Sequence, residues 1–111
     1  MESRLLSGIV ETLILDVLSR GPSYGYEIVQ TVLSESGGEL NLKEGSLYPA
    51  LHRLERGKLL SSSWSDTEAG RRRKYYRTTP AGEGALAAKR EEWARFAAGV
   101  NGVLGGEGGL A

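Results

Sequence analysis

The sequence predicts a mainly α fold with a small β-hairpin (α+β), and three observations carry that expectation. Apolar residues recur at helical spacing in four separate stretches. Between the third and the fourth, after Gly57, the period changes to that of short strands. The breaks fall on Gly21-Pro22, Gly37-Gly38, Gly57 and Thr79-Pro80, residues that end or start helices for backbone reasons. With 111 residues the chain makes one small domain with a single core.

Leu5, Leu6, Ile9, Val10, Leu13, Ile14, Val17 and Leu18 form a wide apolar stripe, so the first helix is expected to be nearly buried. Gly21-Pro22 ends it. Ser23 suits the N-cap of a second helix running to about Ser36, with Glu27 in the first turn, where a carboxylate favours the helix dipole. Ile28 and Val32, with Leu33 beside them, face inward, and Gly37-Gly38 stops this helix. Leu40-Asn41-Leu42 is expected to form a short extended pairing.

In the third stretch Leu47, Leu51 and Leu54 mark one buried helical stripe, while Ser46, Tyr48, Pro49, His52, Arg53 and Arg56 occupy the other side. Hydroxyls, an aromatic ring and cations are the side-chain types that reach base edges and phosphates. Proline is tolerated in the first helical turn, which puts the start near Glu44 to Ser46, and Gly57 is expected to supply a left-handed stop. A helix of about eleven residues, roughly 16 Å long, suits a major groove about 12 Å wide. On this stretch alone a recognition helix and an ordinary polar surface helix are both open.

Leu59 to Ser65 reads as a strand, Asp66 to Gly70 as a turn, and Arg71 to Thr78 as a second strand. A hairpin whose second strand is mostly cationic is better read as a solvated ribbon than as core. Tyr75 and Tyr76 alternate across it, and periodicity does not say which points inward. Trp64 is expected in the core of the ribbon. Thr79-Pro80, a capping hydroxyl followed by proline, opens a last helix running to roughly Val103. Leu86, Trp93 and Val100 fall seven apart, with Ala97 and Leu104 on the adjoining line and Arg90 interrupting the seam. Gly105 to Ala111 has the composition of a flexible tail.

Helix–helix–helix–hairpin–long helix is the layout of a winged helix-turn-helix with a C-terminal dimerisation helix. The expected division is 1–79 for the winged helix-turn-helix, 80–104 for the dimerisation helix and 105–111 for the tail. The formal net charge is +0, but its distribution matters more. Arg71, Arg72, Arg73, Lys74 and Arg77 lie in a run without an acid, and most of the carboxylates lie elsewhere. Segregation of this kind makes a positive face on a neutral body.

The absence of cysteine excludes disulfides and thiolate metal sites and is compatible with a reducing compartment. The start of the chain carries neither a signal-peptide pattern nor a membrane span, so the expected location is cytoplasmic. His52, the only histidine, cannot make a metal site alone; a base contact and an exposed bystander are both open for it. Gly82-Glu-Gly84-Ala-Leu-Ala87 matches a dinucleotide fingerprint literally, but no second βα unit completes a nucleotide fold. Gly82 is instead expected to permit close packing. With no catalytic set in view, an enzyme is not expected, nor is a cofactor.

Three ordered blocks resemble the PadR-like transcriptional regulators. They are Gly21-Pro-Ser-Tyr-Gly-Tyr-Glu-Ile28, Gly45-Ser-Leu-Tyr-Pro-Ala-Leu-His-Arg-Leu-Glu55, and Gly70-Arg-Arg-Arg-Lys-Tyr-Tyr-Arg-Thr-Thr79 followed by Gly82. With Trp64 and Trp93 they cover about residues 5 to 96, and the single C-terminal helix resembles the small, LmrR-like subgroup. The resemblance implies a homodimer joined through its last helix. It also implies repression at a pseudo-palindromic double-stranded operator, relieved by a small molecule, aromatic or hydrophobic in kind. Carried over by position, Lys43, Ser46, Tyr48 and His52 or Arg53 contact DNA from the helix, and Arg72, Arg73 and Lys74 from the wing. The tryptophan matching Trp93 lines a pore between subunits where flat aromatic molecules stack. Phe96, Ala97 and Gly99 depart from the subgroup pattern at that pore wall, and Trp93, Phe96, Ala97 and Val100 are the candidate ligand and dimer positions. Trp93 has two readings, as an interface anchor and additionally as a stacking plate. The rival to the whole assignment is a winged-helix module for protein–protein contact without specific DNA binding, which the neutral total charge keeps open.

Overall fold

A computed structural model describes residues 3–67 and 69–105, with the side chains of residues 3–7 outside that description. The elements in order are α1 (Ser3–Leu18), β1 (Ser23–Tyr24), α2 (Gly25–Glu35), α3 (Glu44–Arg56), β2 (Leu60–Asp66), β3 (Arg72–Thr78) and α4 (Pro80–Leu104). The mainly α fold with a β ribbon is as the sequence predicts, and its helices, turn and wing make a winged helix. Leu5 and Leu6 of the expected stripe, and the tail at 106–111, lie outside the described residues and side chains.

One core joins all four helices and the β2–β3 hairpin. Ile14, Leu15, Val17 and Leu18 of α1 meet Ile28 and Val32 of α2, Leu47, Ala50, Leu51 and Leu54 of α3, Leu60 and Tyr76 of the sheet, and Leu86 of α4. Leu15 and Ile14 are both 0% exposed, so α1 is buried on adjoining faces and acts as the spine on which α2, α3 and α4 pack. Burying that apolar surface is the dominant favourable term in forming the domain.

The sheet has three antiparallel strands in the order β1-β3-β2, where a two-strand hairpin was expected. Ser23 pairs with Tyr76 and Tyr24 with Tyr75, so Ser23 lies in a strand and Tyr24 takes the N-cap of α2. The Tyr24 N–H donates to Glu27 Oε1 at 3.3 Å, which gives the first-turn carboxylate its partner. The open edge of β3 draws these two residues into the ladder. Leu40-Asn41-Leu42, expected as an extended pairing, forms no strand.

α3 starts at Glu44, within the expected span and with Lys43 as N-cap, although Pro49 then stands in the second turn and not the first. Its missing N–H leaves the carbonyl of the exposed Gly45 without a helical donor, which water can satisfy. At the other end Gly57 has φ −80° and is not left-handed; Lys58 is, at φ 65°. Leu59 N donates to Leu54 O at 2.9 Å and Lys58 N to Glu55 O at 2.9 Å, a Schellman pair that returns the chain toward the core. By contrast Gly37, φ 66°, ends α2 by the same motif as expected.

The joint between α3, β2 and α4 is tight. Thr79 caps α4, its Oγ1 accepting from Gly82 N at 3.0 Å and donating to Lys58 O at 2.8 Å. Thr79 N donates to Leu59 O at 3.1 Å, and a Cβ at Gly82 would run into that same carbonyl oxygen. Gly82 is thus required for close approach, as its sequence position suggests. In α4 only Gly82 and Leu86 are buried; Leu86 belongs to the core of its own chain and is not a rung of an exposed seam.

Candidate nucleic-acid interface

α3 presents its two faces as the leucine spacing demands. Leu47, Ala50, Leu51 and Leu54 are buried, and Lys43, Ser46, Tyr48, Pro49, His52, Arg53 and Arg56 are all exposed. The outer row is not uniform. Tyr48 is 48% exposed, but its ring lies against Gly25 at the start of α2, where a Cβ would come 2.5 Å from its hydroxyl. Arg53 is tied back to α1, donating from Nε to Glu11 Oε2 at 2.8 Å. Lys43, Ser46 and His52 have no ion pair or side-chain hydrogen bond among the described residues.

Strand alternation splits the wing cations between two faces. Arg72 and Lys74 share a side with Tyr76, and Arg73 and Arg77 share the other with Tyr75. Tyr76 is the inward tyrosine, 6% exposed, and burial pushes its phenol above the usual tyrosine range despite the lysine beside it. Tyr75 stands on the outer side, edge-on to Tyr24 at 5.4 Å. The Arg73 guanidinium lies 4.3 Å over the Tyr24 ring, an aromatic seat that orients a cation while leaving its N–H groups free. Lys74 is directed toward α3: its Nζ is 3.6 Å from Glu55 Oε1, whose other oxygen accepts from Ser62 Oγ at 2.5 Å. Arg72 stands 5.3 Å over Trp64 and 3.8 Å from Asp66. Trp64 is 56% exposed, not in a ribbon core as expected, because one sheet layer has nothing to cover that face near its tip. The tip itself closes where Thr67 N donates to Arg71 O at 2.7 Å.

The neutral total charge resolves into local pairs. Asp16 accepts from both Arg20 and Arg90, Arg20 also donates to Glu35, and Glu11 faces Lys89 as well as Arg53. Burial pushes the Asp16 carboxyl up, but the hydrogen bonds from Arg20 and Arg90 outweigh it and hold it below its ordinary value. Hydrogen bonds to Glu35 and Asp16 hold the Arg20 guanidinium well above its ordinary value. Glu11, Asp16 and Glu35 are thus paired with cations of the body, while Arg73 and Arg77 of the ribbon have no ion pair among the described residues. Arg90, read from sequence as an interruption of a seam, is an anchor of α4 on α1.

The far half of α4 carries the other group of candidate residues. Trp93, Phe96 and Val100 are 48%, 44% and 38% exposed, with Ala97 half-buried between them. The Trp93 and Phe96 rings lie 5.7 Å apart. These residues form an apolar strip beyond the core, separate from the α3 and wing face.

Residues 14–88 match the family model described as the transcriptional regulator PadR-like family. The chain belongs to the PadR-like family. A Lysinibacillus sphaericus protein described as uncharacterised is 32% identical over 94 residues, covering 85% of this chain and 86% of the relative. A transcriptional regulator from Clostridium thermocellum superposes with a TM-score of 0.80 at 36% identity, covering 88% of this chain and 95% of that one. A PadR-like transcriptional regulator from Bacillus cereus superposes at 0.75 with 32% identity, covering 94% and 99%. PadR-like proteins are DNA-binding transcriptional regulators and not enzymes, and the winged helix described above is the fold this chain shares with them. Among the described residues no helix is long and apolar enough to cross a membrane.

Sequence reading missed the residues that hold this surface in place. Gly25 was detectable as a glycine at a helix start between two tyrosines. Glu11, Asp16 and Glu55 were not, because their partners lie on other elements and leave no local pattern.

Proposed function

We propose that this PadR-like regulator is a sequence-specific, dimeric repressor of the small, LmrR-like type. The observation that carries the reading is the exposed outer face of α3 set beside a cationic ribbon. Lys43, Ser46, Tyr48 and His52 read the major groove, and Arg53 approaches the backbone at its edge. Arg72 and Arg73 hold flanking phosphates, with Lys74 stiffening the base of the wing. α4 joins two copies through Trp93, Phe96, Ala97 and Val100, which sets two recognition helices on a pseudo-palindromic operator. A flat aromatic or hydrophobic molecule between the Trp93 residues of the two copies releases the DNA. The protein acts in the cytoplasm, where its DNA lies.

The experiment is fluorescence anisotropy with labelled DNA from the protein's own upstream region against a scrambled duplex, at two salt concentrations. Tight, selective binding that weakens by orders of magnitude as salt rises is the expected result. Weak binding, equal for both duplexes and insensitive to salt, would favour a protein-contact module, the reading to which the net charge of +0 lends support.

A further inference from the structure

The carboxylates of α1 stand where α3 and α4 meet it, and Glu11 serves both. Its Oε2 accepts from Arg53 Nε at 2.8 Å and its Oε1 lies 3.6 Å from Lys89 Nζ. The Glu11 side chain is 19% exposed and that of Arg53 41%, so the acid is the sheltered partner and the guanidinium the outward one. Arg53 is held through Nε, and its terminal nitrogens make no hydrogen bond among the described residues. A bond at the root of the planar fork fixes its orientation while leaving terminal donors for a bidentate acceptor. An arginine already held loses less freedom when it meets a phosphate. A parallel chain runs from Arg90 through Asp16 and Arg20 to Glu35 on α2. Both helices of the helix-turn-helix are thereby joined to neighbouring residues of α4, just before the apolar strip begins.

We propose that Glu11 is a positioning residue for DNA binding, holding the Arg53 guanidinium outward for a backbone phosphate and tying it through Lys89 to the base of α4. The inference rests on the reading that the outer face of α3 meets DNA. The contrary role for Glu11 is to neutralise Arg53 and remove it from the interface, and the two roles differ in sign.

The test is a double-mutant cycle read by anisotropy with a labelled random-sequence duplex across a range of salt, with thermal unfolding of each variant to verify the fold. Arg53→Gln alone is expected to weaken binding about tenfold and to lower the slope of log affinity against log salt by about 0.9. In a Glu11→Gln background the same substitution is expected to cost under about twofold, because an unheld arginine contributes little. An equal or larger cost in that background would overturn the inference, since a masking or merely structural Glu11 leaves or enlarges the Arg53 increment. No effect of Arg53→Gln in the parent would overturn it too. Arg72→Ala with Arg73→Ala, run alongside, separates the two failures. If the wing variant still weakens binding, the Glu11 role alone has failed. If neither parent nor variant shows salt-dependent binding, the DNA reading has failed with it.

Discussion

The phenol of Tyr48 rests on Gly25, with a would-be Cβ 2.5 Å from its hydroxyl and 3.1 Å from Cζ. The outer face of α3 thus takes part of its side-chain arrangement from the start of α2. Tyr48 is 48% exposed and free to swing, so Gly25→Ala displaces the side chain and spares the backbone. Stability is expected to stay within about 1 kcal/mol of the parent, since alanine is also the better helix former. Preference for a selected genomic fragment over random DNA is expected to fall, and competition anisotropy measures it.

Gly82 and Gly84 lie on the same helix with opposite expectations. A Cβ at Gly82 meets the Leu59 carbonyl oxygen and, at 2.7 Å, Thr78 Cγ2, while nothing lies within 4 Å of one at Gly84. Gly82→Ala is expected to destabilise by about 1–3 kcal/mol, as overpacking against backbone does. Gly84→Ala is expected to stabilise by up to about 1 kcal/mol. Urea unfolding of the pair checks both.

Acid sensitivity should trace in part to Asp16. Its carboxyl is held below the ordinary value in the folded chain, so the stabilisation is present above the unfolded value, about pH 4, and is lost as pH falls through the folded value. Asp16→Asn is expected to lower stability at neutral pH and to flatten the fall in melting temperature below about pH 4. A melting curve as steep in acid as the parent's would contradict this.

Arg72→Ala combined with Arg73→Ala is expected to weaken binding to every duplex alike and to reduce the salt slope by about 1.8, the value for two phosphate contacts. Ser46→Ala is expected to act differently, costing on the order of 1–3 kcal/mol of discrimination for a lost base contact while leaving the slope unchanged.

Trp93→Ala is expected to loosen the dimer. Sedimentation equilibrium at micromolar concentration should show monomer where the parent is paired, with the winged-helix melting transition preserved because Trp93 stands outside the core. A dimer of undiminished affinity would move the interface elsewhere on the chain.

Much of this architecture was legible in the residues. The leucine spacing of α3 separates its buried and outer faces, and Thr79-Pro80 marks the start of α4 because capping and proline chemistry act locally. β1 was not legible, since two residues carry no period and become a strand through the free edge of β3. Which residue of Gly57-Lys58 turns left-handed is fixed by where the helix ends: the bonds from Lys58 to Glu55 and from Leu59 to Leu54 put the left-handed position one residue after the glycine. The ion pairs were out of reach because their partners are distant in the chain: Glu11 meets Arg53 across 42 positions and Asp16 meets Arg90 across 74. Aromatic content placed Trp64 inside the wing, but a single-layer sheet offers it no opposite wall.

The grip of Thr79 and Gly82 on Lys58 and Leu59 has a mechanical meaning. The first turn of α4 is tied to the loop that leaves α3, which couples the directions of the two helices. α4 has 25 residues. At 1.5 Å per residue it is a lever roughly 37 Å long, and a tilt of ~10° at its first turn sweeps the far end through ~6 Å. Trp93 stands about half-way along that lever, where the same tilt gives ~3 Å, so a slight rotation of α3 becomes a displacement of several ångströms at the outer end of α4.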